Sequence, residues 1–296
     1  MEYRNSSNVR FLTALFVFWS AQISSLDMDH RNVLKNSRVY LSGPMDFVAS
    51  REDEKEFGWR SRIKSYLKSK GVVVFDPWEK PEVVGIHEYG KEDTATLEIR
   101  KEWNFGNDHK SSEARATCAD QFSKTVHIDL RMVDISDFII AFCPTNIYSV
   151  GTVHEIVVAR QQRKPVLFVS PPVTFPTYRK LQEKADSDAE LKDISAALER
   201  EIPIRENEKG IPSLWYMSVV GTENFFDGFG FQLPAFRDHM KNNPPTRLDE
   251  IEEQHPPERP LIEFLEALSL GVMPKKWNNI TKKYEIDDDW LILKKF

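Results

Sequence analysis

The feature that most constrains the fold is a strand–loop–helix–strand run between residues 139 and 169. Residues 139–142 form a short apolar run that is typical of a buried strand. A loop containing Gly151 ends that run, and apolar periodicity predicts a helix from about Thr152. Residues 164–169 then predict the next buried strand. The run is therefore a βαβ unit, whose two strands are parallel.

Patterns on both sides of this unit predict an α/β fold. Residues 38–45 contain a first strand and a Gly-Pro turn, residues 52–70 a helix that ends at Gly71, and residues 72–75 a second strand. Residues 214–220 are apolar enough to be interpreted as a fifth strand. We therefore expect a parallel sheet of about five strands with helices on both faces, plus an insertion and a C-terminal extension.

Changes in composition and periodicity divide the chain into three segments. Residues 1–36 are a leader or an extra N-terminal segment, residues 37–240 are the α/β domain, and residues 241–296 are a C-terminal extension. A polar insertion at about 79–121 interrupts the domain. Long insertions without their own secondary structure are usually lids, binding loops or disordered segments.

Three smaller elements are also predicted. Apolar periodicity resumes after the insertion with a helix that begins near Phe122. The extension is expected to hold a short helix, and a hairpin that pairs residues 280–284 with residues 290–293. Phenylalanines interleaved with glycines at 225–231 form an aromatic patch, which is a candidate to complete a site on a neighbouring subunit.

The charge and the cysteine content exclude several classes of function. The chain has 40 Lys and Arg against 46 Asp and Glu, so its formal net charge is −6. Because no block of basic residues suggests a nucleic-acid footprint, we expect a small-molecule partner and no nucleic acid. Cys118, Cys143 and the seven histidines show neither a disulfide framework nor metal-ligand spacing, so no metal site is expected.

The N-terminus is open to two interpretations. Residues 11–21 are apolar and follow Arg4 and Arg10, as in the n-region and h-region of a signal peptide. The apolar run is shorter than the roughly 20 residues that span a bilayer, so we expect no membrane partner. The other interpretation is a start codon upstream of the true one at Met28, or an extra docking helix. We favour this second interpretation, and a cytoplasmic protein, because the chemistry predicted below is intracellular.

Four motifs lie in order at the predicted strand ends. They are Tyr40-Leu41-Ser42-Gly43-Pro44-Met45, Asp129-Leu130 leading to Ser136-Asp137, Gly151-Thr152-Val153-His154-Glu155, and the Lys164-Pro165 pair before the next strand. Together they resemble the nucleoside 2-deoxyribosyltransferase superfamily and its hydrolase branch, the 2′-deoxynucleoside 5′-monophosphate N-glycosidases. The resemblance implies a flavodoxin-like or Rossmann-like core that cleaves the N-glycosidic bond of a nucleoside or nucleotide without a metal or organic cofactor. Members of this superfamily are commonly oligomers, so a homo-oligomer is expected.

Three residues are predicted to be catalytic, Glu155 from the resemblance and Asp129 and Tyr40 from the chemistry that the reaction requires. Glu155 is the Glu of the G-x-x-x-E pattern; in the first turn of a helix it is expected to stay ionised and to attack the anomeric carbon. Asp129 is the candidate that supplies or relays a proton to the departing base, and Tyr40 is the candidate that orients Glu155. Two other interpretations remain open, because Thr152 to Glu155 also matches a capping box and Asp129 can equally be a solvated partner of Arg131.

Eight further residues are predicted to bind the substrate. They are Ser42, Gly43, Pro44, Met45, Arg51, Ser149, Gly151 and Thr152. Transferases that act on free nucleosides usually carry Asp six residues before the catalytic Glu, whereas this chain has Ser149 there, as the monophosphate hydrolases do. A Ser hydroxyl donates to a phosphate oxygen that Asp would repel, so a 5′-monophosphate is the favoured substrate. Two alternative functions are a nucleotide-sensing module that does not cleave its ligand, and an NAD glycohydrolase.

Overall fold

The computed structural model describes residues 32–45, 51–79, 101, 103–201, 206–241 and 256–294. The apolar stretch at 11–21 and most of the predicted insertion, residues 80–100, lie outside these ranges.

Five parallel strands form the central sheet, as predicted. They are β1 (Arg38–Ser42), β2 (Val73–Phe75), β3 (Phe138–Phe142), β4 (Val166–Val169) and β5 (Phe225–Phe226). Their order across the sheet is β2-β1-β3-β4-β5, and every neighbouring pair is parallel. The chain moves outward in one direction from β1 to β2 and in the other from β3 to β5, so β1 and β3 flank the switch point where open α/β sheets bind ligands.

Helices cover both faces of this sheet. They are α1 (Arg51–Phe57), α2 (Trp59–Ser69), α3 (His109–Ile135), α4 (Val150–Gln161), α5 (Pro176–Ala185), α6 (Ala189–Glu201), α7 (Leu214–Val220), α8 (Pro234–Lys241) and α9 (Leu261–Ser269). A separate antiparallel hairpin, β6 (Lys275–Asn278) with β7 (Lys283–Ile286), is followed by a 3₁₀ helix, Asp288–Lys294. Another 3₁₀ turn, Pro77–Glu79, follows β2.

Alternating side chains of the strands pack into two hydrophobic cores, one on each face of the sheet. Leu41 of β1 points into the core that α2, α8 and α9 close, and Trp290 of the C-terminal 3₁₀ helix is buried there beside Phe138 and Phe264. Tyr40 points the opposite way, into the core that α3, α4 and α7 close. This two-sided burial is why the strands read as nearly continuous apolar runs.

The prediction of a fifth strand at residues 214–220 is wrong. This segment is helix α7, which Ser213 caps by accepting a hydrogen bond from Trp215 N, and its Tyr216 ring packs on Phe168 at 4.6 Å. The fifth strand is β5, which pairs with β4. A short apolar run carries too little periodicity to separate a strand from one face of a helix.

Three of the four phenylalanines of the aromatic patch at 225–231 are part of the protein's own core, which leaves only Phe225 partly exposed for the predicted role on a neighbouring subunit. Phe226, Phe229 and Phe231 are buried. Phe229 stacks on Trp59 at 5.3 Å and on Phe231 at 4.8 Å. Side chains held in this way do not reach another molecule.

Several predicted boundaries move. The helix at 52–70 is divided into α1 and α2 at Gly58, while its predicted end at Gly71, with φ +81°, is confirmed. Helix α3 begins at His109 behind the Asp108 cap, so residues 109–121 are helical and not part of a loop.

In the C-terminal extension the short helix is confirmed as α9, but the predicted hairpin pairing is wrong. Residues 290–293 belong to the 3₁₀ helix, and β6 pairs with β7 instead.

Candidate functional site

The candidate site is built around the carboxyl group of Glu155. Tyr40 donates its hydroxyl proton to Glu155 Oε1 at 2.7 Å, and Ser42 donates to Glu155 Oε2. The predicted contact between Tyr40 and Glu155 is therefore present. Ser42, which was predicted to bind substrate, is fully buried and holds the carboxyl group of Glu155.

The fold brings these three residues together from distant positions. Tyr40 and Ser42 are two residues apart in β1, so both side chains emerge on the same face of the sheet. Helix α4 packs on that face after leaving the carboxyl end of β3, which is the neighbour of β1. The group therefore lies at the switch point between β1 and β3, where ligands of open α/β sheets bind.

Burial changes the predicted charge state of Glu155. The residue is 8% exposed, and burial raises its pKa to about 7, with the negative charge of Asp129 acting in the same direction. Hydrogen bonds from Ser42 and Tyr40, and the positive charge of Arg60, oppose that rise. Desolvation therefore acts against the ionised state that was expected from the helix N-terminus.

The N-cap of α4 places Glu155 beyond the first helical turn, where the helix dipole acts on a charge most strongly. Ser149 is the N-cap, and its hydroxyl accepts from Thr152 N at 3.4 Å and from Thr152 Oγ1 at 2.9 Å. Glu155 is therefore six residues beyond the cap, in the second turn. The capping-box interpretation of Thr152 to Glu155 is wrong, because Ser149 caps the helix and Glu155 bonds to β1.

Asp129 and Tyr40 share the electrostatic environment of Glu155. Burial raises the pKa of Tyr40 well above its ordinary value, and the charges of Glu155 and Asp129 raise it further. Tyr40 therefore stays protonated and remains a hydrogen-bond donor. Asp129 is partly buried on α3, and its negative charge raises the pKa of both Tyr40 and Glu155.

Arg60 is a residue of this region that the sequence analysis missed. It is completely buried in α2 and stacks on Trp59, with the guanidinium 4.7 Å from the ring centroid. Its Nε donates to Leu41 O at 3.2 Å, its Nη2 to Gly43 O at 2.7 Å and its Nη1 to Pro44 O at 3.3 Å. Its guanidinium thereby fixes the turn that follows β1.

One signal in the sequence pointed to Arg60. The residue lies on the apolar stripe of α2 with Ile63 and Leu67, at positions i, i+3 and i+7, where a charged residue needs buried partners. The hydrogen-bond partners are backbone carbonyls, which a sequence does not display, and the Glu54 carboxylate lies 3.7 Å from Arg60 Nη1.

The remaining predicted substrate-binding residues lie in the turn after β1 and in the first turn of α4. Gly43 lies in the turn after β1, where an added Cβ would be 2.9 Å from Trp59 and 3.1 Å from Arg60 Nη2. Pro44 is buried and Met45 is partly exposed in the same turn. Gly151, in the first turn of α4, is exposed, and an added Cβ there would have nothing within 4 Å.

The other nearby groups have structural or unassigned roles. Arg51 is the first residue of α1, and its side chain is outside the described part of the structure. Asp137 accepts hydrogen bonds from Arg38 N at 2.8 Å and from its guanidinium at 2.9 and 3.1 Å, so it pairs with Arg38 at the start of β3. Burial and the charge of Glu155 raise the pKa of Cys143, so its thiol stays protonated.

Within the described residues, no group of three or more His, Cys, Asp or Glu side chains is arranged to hold a metal ion. In the same part of the chain, no helix combines the length and apolarity needed to cross a bilayer.

Comparison with known proteins adds little to this description. No protein-family model matches the chain, and no curated protein matches it. Among solved structures the chain is similar to a conserved protein from Enterococcus faecalis V583, with 14% identity over 64% of this chain and 89% of that chain and a TM-score of 0.32. A similarity at that level carries no argument about function.

Proposed function

We propose that this protein cleaves or transfers the N-glycosidic bond of a (deoxy)nucleoside 5′-monophosphate or nucleoside, with Glu155 as the nucleophile. The observation that carries the proposal is the pair of hydrogen bonds from Tyr40 and Ser42, which hold the Glu155 carboxyl group at the switch point of the sheet. The resemblance of four motifs to the nucleoside 2-deoxyribosyltransferase superfamily supports the same reaction.

The chemistry requires a carboxylate, a proton and an acceptor. An oxygen of Glu155 forms a bond to the anomeric carbon while the bond to the base breaks, and the departing base keeps that electron pair. Asp129 supplies or relays the proton that the base then takes up. Water or a second base next displaces Glu155 from the sugar, which separates hydrolysis from transfer.

The first turn of α4 is the proposed site for the 5′-phosphate. Free N–H groups and the helix dipole favour an anion at such a terminus. Gly151 leaves open space beside the backbone, and Ser149 presents a hydroxyl rather than a carboxylate. Both observations favour a nucleotide over a free nucleoside.

The reaction is expected to depend on the ionisation of Glu155. Because burial raises the pKa of Glu155 to about 7, only about half of the molecules carry the attacking carboxylate at neutral pH. The value of kcat/KM should therefore rise with pH through about 7. Substrate that displaces the hydrogen bond of Ser42 would free one carboxylate oxygen for the attack.

The test is a base-release assay with each deoxynucleoside and ribonucleoside monophosphate, followed by chromatography. The wild-type protein should release free base, and Glu155→Gln should lower kcat by at least about 10³-fold. Glu266→Gln is the matched control, since Glu266 also accepts a hydrogen bond from a buried tyrosine, Tyr66, but on the other face of the sheet. Absence of base release by the wild-type protein from every nucleotide would overturn the proposal.

A second candidate function, a nucleotide-sensing module, is favoured by one observation. Glu155 is 8% exposed and both of its oxygens accept hydrogen bonds, as in a structural carboxylate. Saturable nucleotide binding by calorimetry, without base release, would support this candidate. Adding NAD to the same assay tests the third function, NAD glycohydrolysis.

A further inference from the structure

The hairpin of β6 and β7 is basic, whereas the rest of the chain is acidic. Residues 275–286 contain four lysines and one glutamate, a net charge of +3. The whole chain carries −6, so the remainder carries −6 − 3 = −9. The four lysines are Lys275, Lys276, Lys282 and Lys283.

One face of the hairpin carries exposed apolar side chains together with one lysine. Trp277 is paired with Tyr284 and Lys275 with Ile286, so these side chains share a face. The Trp277 and Tyr284 rings meet edge to face at 5.2 Å. Tyr284 is 59% exposed and Ile280, at the tip, is 92% exposed.

The tip is held in a fixed conformation by Asn278. Its side-chain oxygen accepts from Ile280 N at 2.8 Å and Thr281 N at 3.1 Å, and its carbonyl accepts from Lys282 N at 2.8 Å. Lys282 has φ +54°, a left-handed conformation that usually favours Gly or Asn. Ile280 is thus presented outward by an ordered turn, which lowers the entropic cost of binding.

We propose that this hairpin docks the protein on the surface of an anionic lipid bilayer. Trp and Tyr favour the boundary between lipid and water, a small apolar side chain enters it, and lysines bind anionic headgroups. In the hairpin, Ile280 and Lys282 are at the tip, Lys283 is in the first strand pair below it, and Trp277 and Tyr284 form the second pair. The hairpin would bind at the bilayer surface without crossing the bilayer. This proposal departs from the expectation of no membrane partner.

Two other partners fit the hairpin less well. A stable protein interface involves about 20–30 residues on each side, and the hairpin has 12 residues between 275 and 286. Single-stranded nucleic acid stacks on open ring faces, whereas the edge-to-face contact of Trp277 and Tyr284 covers one face of this pair.

Apart from Glu285, which accepts hydrogen bonds from Asn278 and Thr281, the acidic residues near the hairpin are at its foot and lie within 4.0 Å of a basic side chain. Lys276 Nζ lies 3.4 Å from Asp287 and 4.0 Å from Asp288, and Arg160 lies 2.8 Å from Asp289. Arg160 is in the last turn of α4, and the next residue after Asp289 packs on Phe138 at the beginning of β3. The hairpin is therefore at the amino edge of the sheet, opposite Glu155, and docking leaves the candidate site open.

The test measures binding of the full chain to vesicles by co-sedimentation. Vesicles of phosphatidylcholine with about 30 mol% phosphatidylserine should bind the protein, those of phosphatidylcholine alone should bind it weakly, and high salt should release it. The variant K282Q/K283Q should bind about 25-fold more weakly, at about fivefold per lysine. Ile280→Ser should cost about tenfold through lost apolar burial.

Two control variants match these changes elsewhere on the surface. K180Q/K192Q removes two exposed lysines from α5 and α6, and Phe105→Ser removes another 92% exposed apolar side chain. Both should bind vesicles as the wild type does. Lack of binding to anionic vesicles, equal binding by the hairpin variants, or tighter hairpin-dependent binding to a single-stranded oligothymidylate would overturn the proposal.

Discussion

Replacing Glu155 with Gln is expected to change how the stability of the protein depends on pH. The pKa of Glu155 is about 7 in the folded protein against an ordinary value of 4.5. The folded state therefore binds a proton that the unfolded chain releases between these two values. That proton stabilises the fold fully below about pH 4.5, and the stabilisation is lost as the pH rises through about 7. The difference of 7 − 4.5 = 2.5 pKa units corresponds to about 3 kcal/mol.

The assay is urea unfolding of the wild type and Glu155→Gln at a series of pH values from about 4 to about 8. Gln cannot ionise but keeps the size of Glu and one carbonyl oxygen to accept from Tyr40. All other titrating groups are common to both proteins, so they cancel to first order in the difference. The free energy of unfolding of the variant, minus that of the wild type, should rise by about 3 kcal/mol from pH 4 to pH 8.

Glu266→Gln provides a control of opposite sign. Although burial acts in the other direction, hydrogen bonds from Lys70 and Tyr66 hold the pKa of Glu266 below its ordinary value. Its stabilisation is therefore present above that ordinary value and is lost as the pH falls. The free-energy difference for Glu266→Gln should become more unfavourable with rising pH. A flat or falling difference for Glu155→Gln would refute the assignment of Glu155 as a carboxyl group that burial keeps partly protonated.

Three further substitutions test the site. Tyr40→Phe should raise the pH at which kcat/KM rises and should lower kcat by about 10- to 100-fold, because Glu155 loses a hydrogen bond that lowers its pKa. The control Tyr66→Phe should cost about 1 kcal/mol of stability without altering kcat. Gly151→Ala should raise the free energy of unfolding by about 0.5–1 kcal/mol, because the added Cβ enters open space in a helix. The same change should raise KM for nucleoside monophosphates at least about tenfold. Unchanged kinetics would exclude a ligand bound at the Gly151 backbone. Arg60→Lys should lower the free energy of unfolding by about 2–3 kcal/mol in urea titrations and raise KM, since one ammonium cannot replace the three carbonyl contacts.

The parts of the fold that were predictable are those that local pattern determines. The apolar runs of β1, β3 and β4 are buried on both faces, and their spacing is enough to predict a parallel sheet. The contact between Tyr40 and Glu155 was predictable too, because both follow from motifs placed at strand carboxyl ends. The order of the five strands was not part of that prediction, since it depends on contacts between distant segments.

The missed features depend on packing between distant parts of the chain. The pKa of Glu155 is set by how completely β1 and α4 bury it, which no local pattern gives. Arg60 was missed because its partners are carbonyl groups of a turn 16 to 19 residues away. Helix α7 was predicted as a strand because a run of seven residues that are apolar except for Ser218 suits a buried strand as well as a short helix.

The packing beneath strand β3 depends on Trp290, a residue close to the end of the described chain. Its ring is completely buried and lies 5.8 Å from the ring of Phe138, where β3 begins, and 5.4 Å from that of Phe264. Removal of a buried tryptophan of this kind costs about 3–5 kcal/mol. A chain shortened before Asp288 would therefore leave a cavity beneath β3. That cavity would destabilise the strand that precedes helix α4 and Glu155.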